Sequence, residues 1–179
     1  MQHSLNDPAP FRLGDDSEAL IRVIRPDDEP LIIALHAGHS ERTIRMRFFG
    51  MVKTLSYDSL ARLCRLDFER EMALVAEGKD AEGRPQLLGV SRYFLSPQTG
   101  DAEFAVVVGD AWQGQGLGWH LMTRLIEVAR ARGVKRLVGV VLCENATMLQ
   151  LMRELGFQSG PSDDPAVVEV ALDLTSSAG

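Results

Sequence analysis

Lysine and cysteine are scarce in this chain, and long apolar runs are absent. Of 19 basic residues, Lys53, Lys79 and Lys135 alone are lysines, an arginine bias that we read as compositional. The basic residues are outnumbered by 25 acidic ones, so the net charge is −6, which argues against nucleic acid as the main partner. Cys64 and Cys143 lie far apart without metal-type spacing, which supports neither a disulfide framework nor a zinc site, and no metal is expected. No apolar stretch reaches membrane-spanning length, and the N-terminus lacks a basic-then-apolar signal pattern. A cytoplasmic location with no membrane partner is therefore the expectation. His3, His36, His39 and His120 show neither triad nor metal spacing.

What remains is ordinary for one globular domain with a sizeable core: 179 residues, 45% of them apolar. Residues 1–18 contain Pro8, Pro10, Gly14 and an acidic pair with no apolar period, and are expected to be a flexible segment. Residues 19–174 form the single domain, and 175–179 a disordered tail. A strand over Ala19–Arg25 ends at Pro26. Helices follow over about 27–39, 40–49 and from the N-cap Ser56 onward. Strands over Arg70–Glu77, Gln86–Leu95 and Asp101–Val108 are joined by short polar turns, which implies antiparallel pairing. A helix over about Leu117–Arg132 leads to a nearly continuous apolar strand, Arg136–Leu142. A helix over Glu144–Leu155 and two last strands, Phe157–Ser159 and Val167–Leu174, complete the chain. The class is α/β (α+β): helices on a mixed, mostly antiparallel sheet of six to seven strands, with one parallel pairing across the central helix.

The most informative stretch runs from Ala102 to Gly118. An apolar strand carrying Glu103 passes through a polar turn into Gln113-Gly114-Gln115-Gly116-Leu117-Gly118, and a helix begins at once. Strand, glycine loop and helix are what a phosphate site needs, because glycines let the backbone approach an anion and the first helical turn presents free N–H groups. The dinucleotide pattern fails, since its third glycine would fall at Trp119. The P-loop pattern also fails, since Gln115 and Gly116 stand where Lys and Ser or Thr would be.

Gln113-x-x-Gly116-x-Gly118 resembles the pyrophosphate loop of the GNAT superfamily of acyl-CoA N-acyltransferases. The segment Asn145–Phe157 resembles the second GNAT signature, with Met148 in place of a small residue. Arg22–Asp28, Arg45–Phe49, Arg70–Ala76 and Ala102–Val108 are similar to the acetyltransferase domain of bacterial protein lysine acetyltransferases, where it often follows an acyl-CoA-synthetase-like module. The resemblance implies the GNAT fold, with strands four and five (Asp101–Val108 and Arg136–Leu142) splayed around the cofactor arm.

It also implies acetyl-CoA as cosubstrate. Gln113, Gly114, Gln115, Gly116, Leu117 and Gly118 would hold the pyrophosphate through main-chain N–H groups. The backbone of Val106, Val107 and Val108 would bond the pantetheine arm like an added strand, with one N–H polarising the thioester carbonyl. Glu103 would be the general base, taking a proton from an amine whose unperturbed pKa is about 10.4; the alternative is a solvated or salt-bridged carboxylate. Glu71 is the reserve candidate. Asn145 would contact the cofactor and also suits an N-cap. Met152 stands where many members carry the Tyr that protonates the leaving thiolate, and Met has no proton to give. Cys143 reads as a small thiol near the thioester path, and Arg42, Arg45 and Arg47 as cover for a helix face. The expected activity is direct acetyl transfer, in a ternary complex, to a primary amine, a protein lysine above all. A small amine or amino acid is the alternative acceptor, and a non-catalytic acyl-CoA sensor the alternative class. A homodimer is compatible with the sequence.

Overall fold

The computed structural model describes residues 4–48 and 56–175. Eight strands make one sheet: β1 (Ala9–Arg12), β2 (Glu18–Val23), β3 (Glu71–Lys79), β4 (Pro85–Leu95), β5 (Ala102–Val108), β6 (Arg136–Leu142), β7 (Gln158–Gly160) and β8 (Val167–Asp173). Their order is β1-β2-β3-β4-β5-β6-β8-β7. Every pairing is antiparallel except β5 with β6. Helices α1 (Glu29–Ala37), α2 (Glu41–Phe48) and α3 (Tyr57–Leu63) lie between β2 and β3 in sequence. The crossover helix α4 (Leu117–Ala131) joins β5 to β6, and α5 (Ala146–Glu154) follows β6.

The sheet separates two cores. On one face Met72, Leu74 and Val106 pack against Leu121, Met122 and Leu125 of α4, all buried. On the other, Ala73, Val75 and Leu87 pack against Ile32 and Leu35 of α1 and Leu60 of α3. Alternation along each strand assigns its side chains to these faces, and each fully buried Leu or Met contributes about 1.5–3 kcal/mol. Ser91, fully buried, donates its hydroxyl to Leu121 O at 3.0 Å and ties the sheet to α4.

Among the described residues, charged side chains are buried at one place. Arg22 of β2 donates two hydrogen bonds to Asp28, at 2.7 and 2.8 Å, and a third to Glu77 of β3 at 2.6 Å. Asp28 also accepts from Arg25 N at 2.7 Å. Burial pushes the Asp28 carboxyl up, but these bonds outweigh it and hold it below the usual carboxylate value.

The N-terminal segment corrects the sequence reading. Within 1–18, expected to be flexible, Ala9–Arg12 is an edge strand paired with β2, and Leu13 is buried in the core. Phe11 packs on His120 of α4, centroids 5.2 Å apart, and Arg124 donates to the carbonyls of Leu5 and Asp7. Pro10 is tolerated because the strand lies at the sheet edge. The sheet therefore has eight strands rather than six or seven. Of the expected tail, residues 176–179 lie outside the described residues, as do Phe49 and Gly50 at the end of the second helix. Among the described residues no helix is long and apolar enough to cross a membrane.

Candidate active site

The site is built on β5. Gly109 N–H bonds Leu88 O of β4 at 2.8 Å. Because ladder groups alternate sides, the main-chain groups of Val107 also face β4, and those of Val106 and Val108 face β6. Yet β6 pairs with β5 only at Ala102↔Leu137 and Glu103↔Val138. Beyond Glu103 the strands part. At the fork stands Phe104, whose ring lies against Gly139 of β6 and Phe157, the two rings 5.1 Å apart. A cavity of about 1430 Å³ fills the split, lined by Val106–Val108 on one arm and Val140, Val141 and Asn145 on the other.

The loop closes the wide end of the split. Trp112 packs beneath Gly109, its ring 2.7 Å from where a Cβ would stand, which explains why no larger residue occupies that position. Gln113 serves as a brace: its Nε2 donates to Val108 O at 3.0 Å and to Thr43 Oγ1 of α2 at 3.1 Å. Its own N–H lies 3.5 Å from Asp110 O, so its backbone is less open to a phosphate than the sequence suggests. Gly114 and Gly116 adopt φ of 78° and 82°, a left-handed conformation natural to glycine. Their N–H groups and that of Gln115 find no acceptor among the described residues, and α4 starts without a side-chain cap. The N–H groups of Leu117, Gly118 and Trp119 lack intrahelical partners by position. This array lies at the positive end of the helix, where an anion is favoured. Leu117 is buried and offers only its main chain. Gln115 turns its side chain back against Gly14, its Oε1 buried without a partner among the described residues. An acyl-CoA fits these features: unpaired strand amides for the arm, and a donor cradle for the pyrophosphate.

Asn145 caps α5, accepting from Met148 N at 3.1 Å, and lines the cavity with its Nδ2 lacking an acceptor among the described residues. Capping and a ligand contact are thus compatible. Met152 is 1% exposed in the core and does not line the cavity. Its departure from the family pattern is a packing choice.

The model of the acetyltransferase (GNAT) family matches residues 41–157. The chain belongs to the GNAT acetyltransferase family. An acetyltransferase of Pseudomonas aeruginosa is 34% identical over 158 residues, which cover 87% of this chain and 84% of that one. An L-methionine sulfoximine/L-methionine sulfone acetyltransferase of the same organism is 42% identical over 59 residues, 33% of this chain and 34% of that one. The crystal structure of the GNAT domain of S. lividans PAT matches with a TM-score of 0.81 and 27% identity, covering 93% of this chain and 96% of that one. GNAT acetyltransferases use acetyl-CoA.

Within this GNAT domain Glu103 is exposed, lines the cavity, and forms no ion pair among the described residues. Glu71, the reserve, is tied down: it accepts from Asp67 N at 3.1 Å and lies 3.9 Å from Arg62 Nη1. Two further site residues escape the sequence reading. Arg47, expected to cover a helix face, lines the cavity, and burial, then Arg92, push its guanidinium down to about 10, against the opposing pull of Glu103. Arg92 of β4 also lines the cavity, and burial lowers it as well. The available signal is an arginine placed inside an otherwise apolar strand.

Proposed function

We propose that the protein transfers an acetyl group from acetyl-CoA to a primary amine, with a protein lysine side chain as the acceptor. The observation that carries this reading is the parting of β5 and β6 immediately after Glu103. It brings a free carboxylate and the outward main-chain N–H groups of Val106 and Val108 into one cavity with the loop's donor cradle. Glu103 takes the proton from the acceptor ammonium, directly or through a water, since only the free amine attacks. The Val106 or Val108 N–H supports the oxyanion that forms on the thioester carbon. That intermediate expels coenzyme A as a thiolate, a leaving group good enough to depart without an acid at position 152. Gln113–Gly118 and Asn145 hold the cosubstrate. The lysine assignment is supported by the resemblance of Ala102–Val108 and Arg70–Ala76 to bacterial protein lysine acetyltransferases and by the likeness to the PAT domain over nearly the whole chain.

A second reading, an amino-acid N-acetyltransferase, is favoured by the half-buried arginines Arg47 and Arg92, which line the cavity with Glu103, and by the relative named for methionine derivatives. The experiment is acetyl-CoA turnover, followed as thiol release, with a lysine-rich protein and with a panel of small amines. Release that depends on the protein supports the lysine reading; release only with small amines replaces it. Tight acetyl-CoA binding with no release under any acceptor makes the domain a sensor.

A further inference from the structure

The sheet face opposite α4 carries an ordered pattern of charge. Glu71, Phe94 and Glu103 lie abreast on β3, β4 and β5, and the next row inward is Ala73, Arg92 and Ala105. Arg92 is thus the diagonal neighbour of both carboxylates. Arg47 of α2 lines the same cavity. Behind it is a smaller cavity of about 160 Å³, lined by Arg47, Arg92, Ala105 and Val107, by apolar residues of α1 and α3, and by His36, His39 and Ser59. Arg47 and Arg92, with Ala105 and Val107, thus line both the large cavity and this recess.

Arg92 stands half-buried in this wall, with the guanidinium of Arg47 near enough to press on its charge. Each has five N–H donors and no means of shedding its charge at neutral pH. Arg92 gives one bond, from Nη2 to Leu63 O at 2.8 Å, and forms no ion pair among the described residues. Its nearest acidic influence is Glu71, which is already held by Asp67 N. Glu103 is the candidate base. Buried charge requires a counter-charge, and planar guanidinium matches carboxylate in shape and hydrogen bonding.

We propose that Arg92, assisted by Arg47, binds a carboxylate carried by the acceptor, so that the enzyme selects amines bearing a nearby carboxylate. The acceptor ammonium lies toward Glu103 and its carboxylate toward the arginine pair. This rests on the primary-amine reading above. The carboxylate has two sources: the α-carboxylate of a free amino acid, or an Asp or Glu side chain beside a lysine in a protein.

The test needs no variant to begin. The wild-type enzyme is assayed with amino acids against their carboxamides, and with lysine peptides flanked by Glu or Asp against Gln or Asn counterparts. Preference for the acid in either pair, by roughly ten- to a hundredfold in kcat/KM and mainly through KM, is expected from one charge-assisted pair. The pair in which it appears names the source. Arg92→Gln abolishes the preference and Arg92→Lys retains part of it, with acetyl-CoA Kd confirming that each variant is folded. Acid and neutral acceptors used equally well overturn the proposal, as does a preference that survives Arg92→Gln. Failure to acetylate any primary amine overturns instead the reading on which it rests.

Discussion

The Phe104 ring occupies the space that a side chain on Gly139 would need: a Cβ on Gly139 would lie 2.6 Å from Phe104 Cε1. The fork between β5 and β6 thus has a wedge made of two complementary residues, one large and one without a side chain. Gly139→Ala forces the ring or β6 to move, and overpacking of this kind costs about 1–3 kcal/mol. A melting temperature lowered by roughly 2–4 °C per kcal/mol is expected, together with a higher KM for acetyl-CoA. Adding Phe104→Leu makes room for the methyl, and a double-mutant cycle should recover part of the loss.

Glu103→Gln keeps the size of the side chain and removes its basicity. Steady-state kinetics should give a kcat lower by about 10²–10⁴, the usual contribution of a positioned base. Calorimetry should give an unchanged acetyl-CoA Kd. A variant that keeps its kcat moves the base elsewhere.

Gly116 has open space around it, with nothing within 4 Å of the point where a methyl group would stand. The cost of Gly116→Ala is therefore conformational. At φ 82° an L-residue is strained by about 1–2 kcal/mol, so relaxation of the loop should weaken acetyl-CoA binding about tenfold. Gly116→Asn, which tolerates this conformation better, should lose less.

Acid stability depends on the Arg22–Asp28–Glu77 cluster. Asp28 is held below its ordinary value of 3.8. A carboxylate lowered in the folded state adds stability above its unfolded pKa, and that stability disappears as pH falls through the lower folded value. Urea unfolding measured from pH 6 down to 2 should show stability falling below about pH 4. Asp28→Asn should cost about 1.5–3 kcal/mol at neutral pH, since Arg22 loses its charged bonds to Asp28 and keeps Glu77 alone, and its acid limb should be flatter.

The fold is legible in the sequence wherever periodicity and punctuation agree. The alternation of β5, the glycines before α4 and the apolar faces of the helices carry the topology, including the parallel crossover. β1 is not legible, because Ala9–Arg12 has one strong apolar residue and a proline. It is held by pairing and by Phe11 against His120, contacts that no local pattern announces. In the site, the unpaired main-chain groups follow from the order of elements. The arginine pair does not, because Arg47 and Arg92 are separated by a helix and a strand, and only the register that sets Arg92 opposite Ala105 brings them to one wall.

Between Val106 and Val108 the sheet is one strand short, and in the reading proposed above a metabolite, the arm of acetyl-CoA, completes it. A protein completed in this way has no single stability of its own. Ligand at a hundred times its Kd adds about 2.7 kcal/mol to the folded state, so the melting temperature becomes a function of acyl-donor concentration. Limited proteolysis across an acetyl-CoA titration would read this directly. The persistence of the domain would then follow the supply of the compound it consumes.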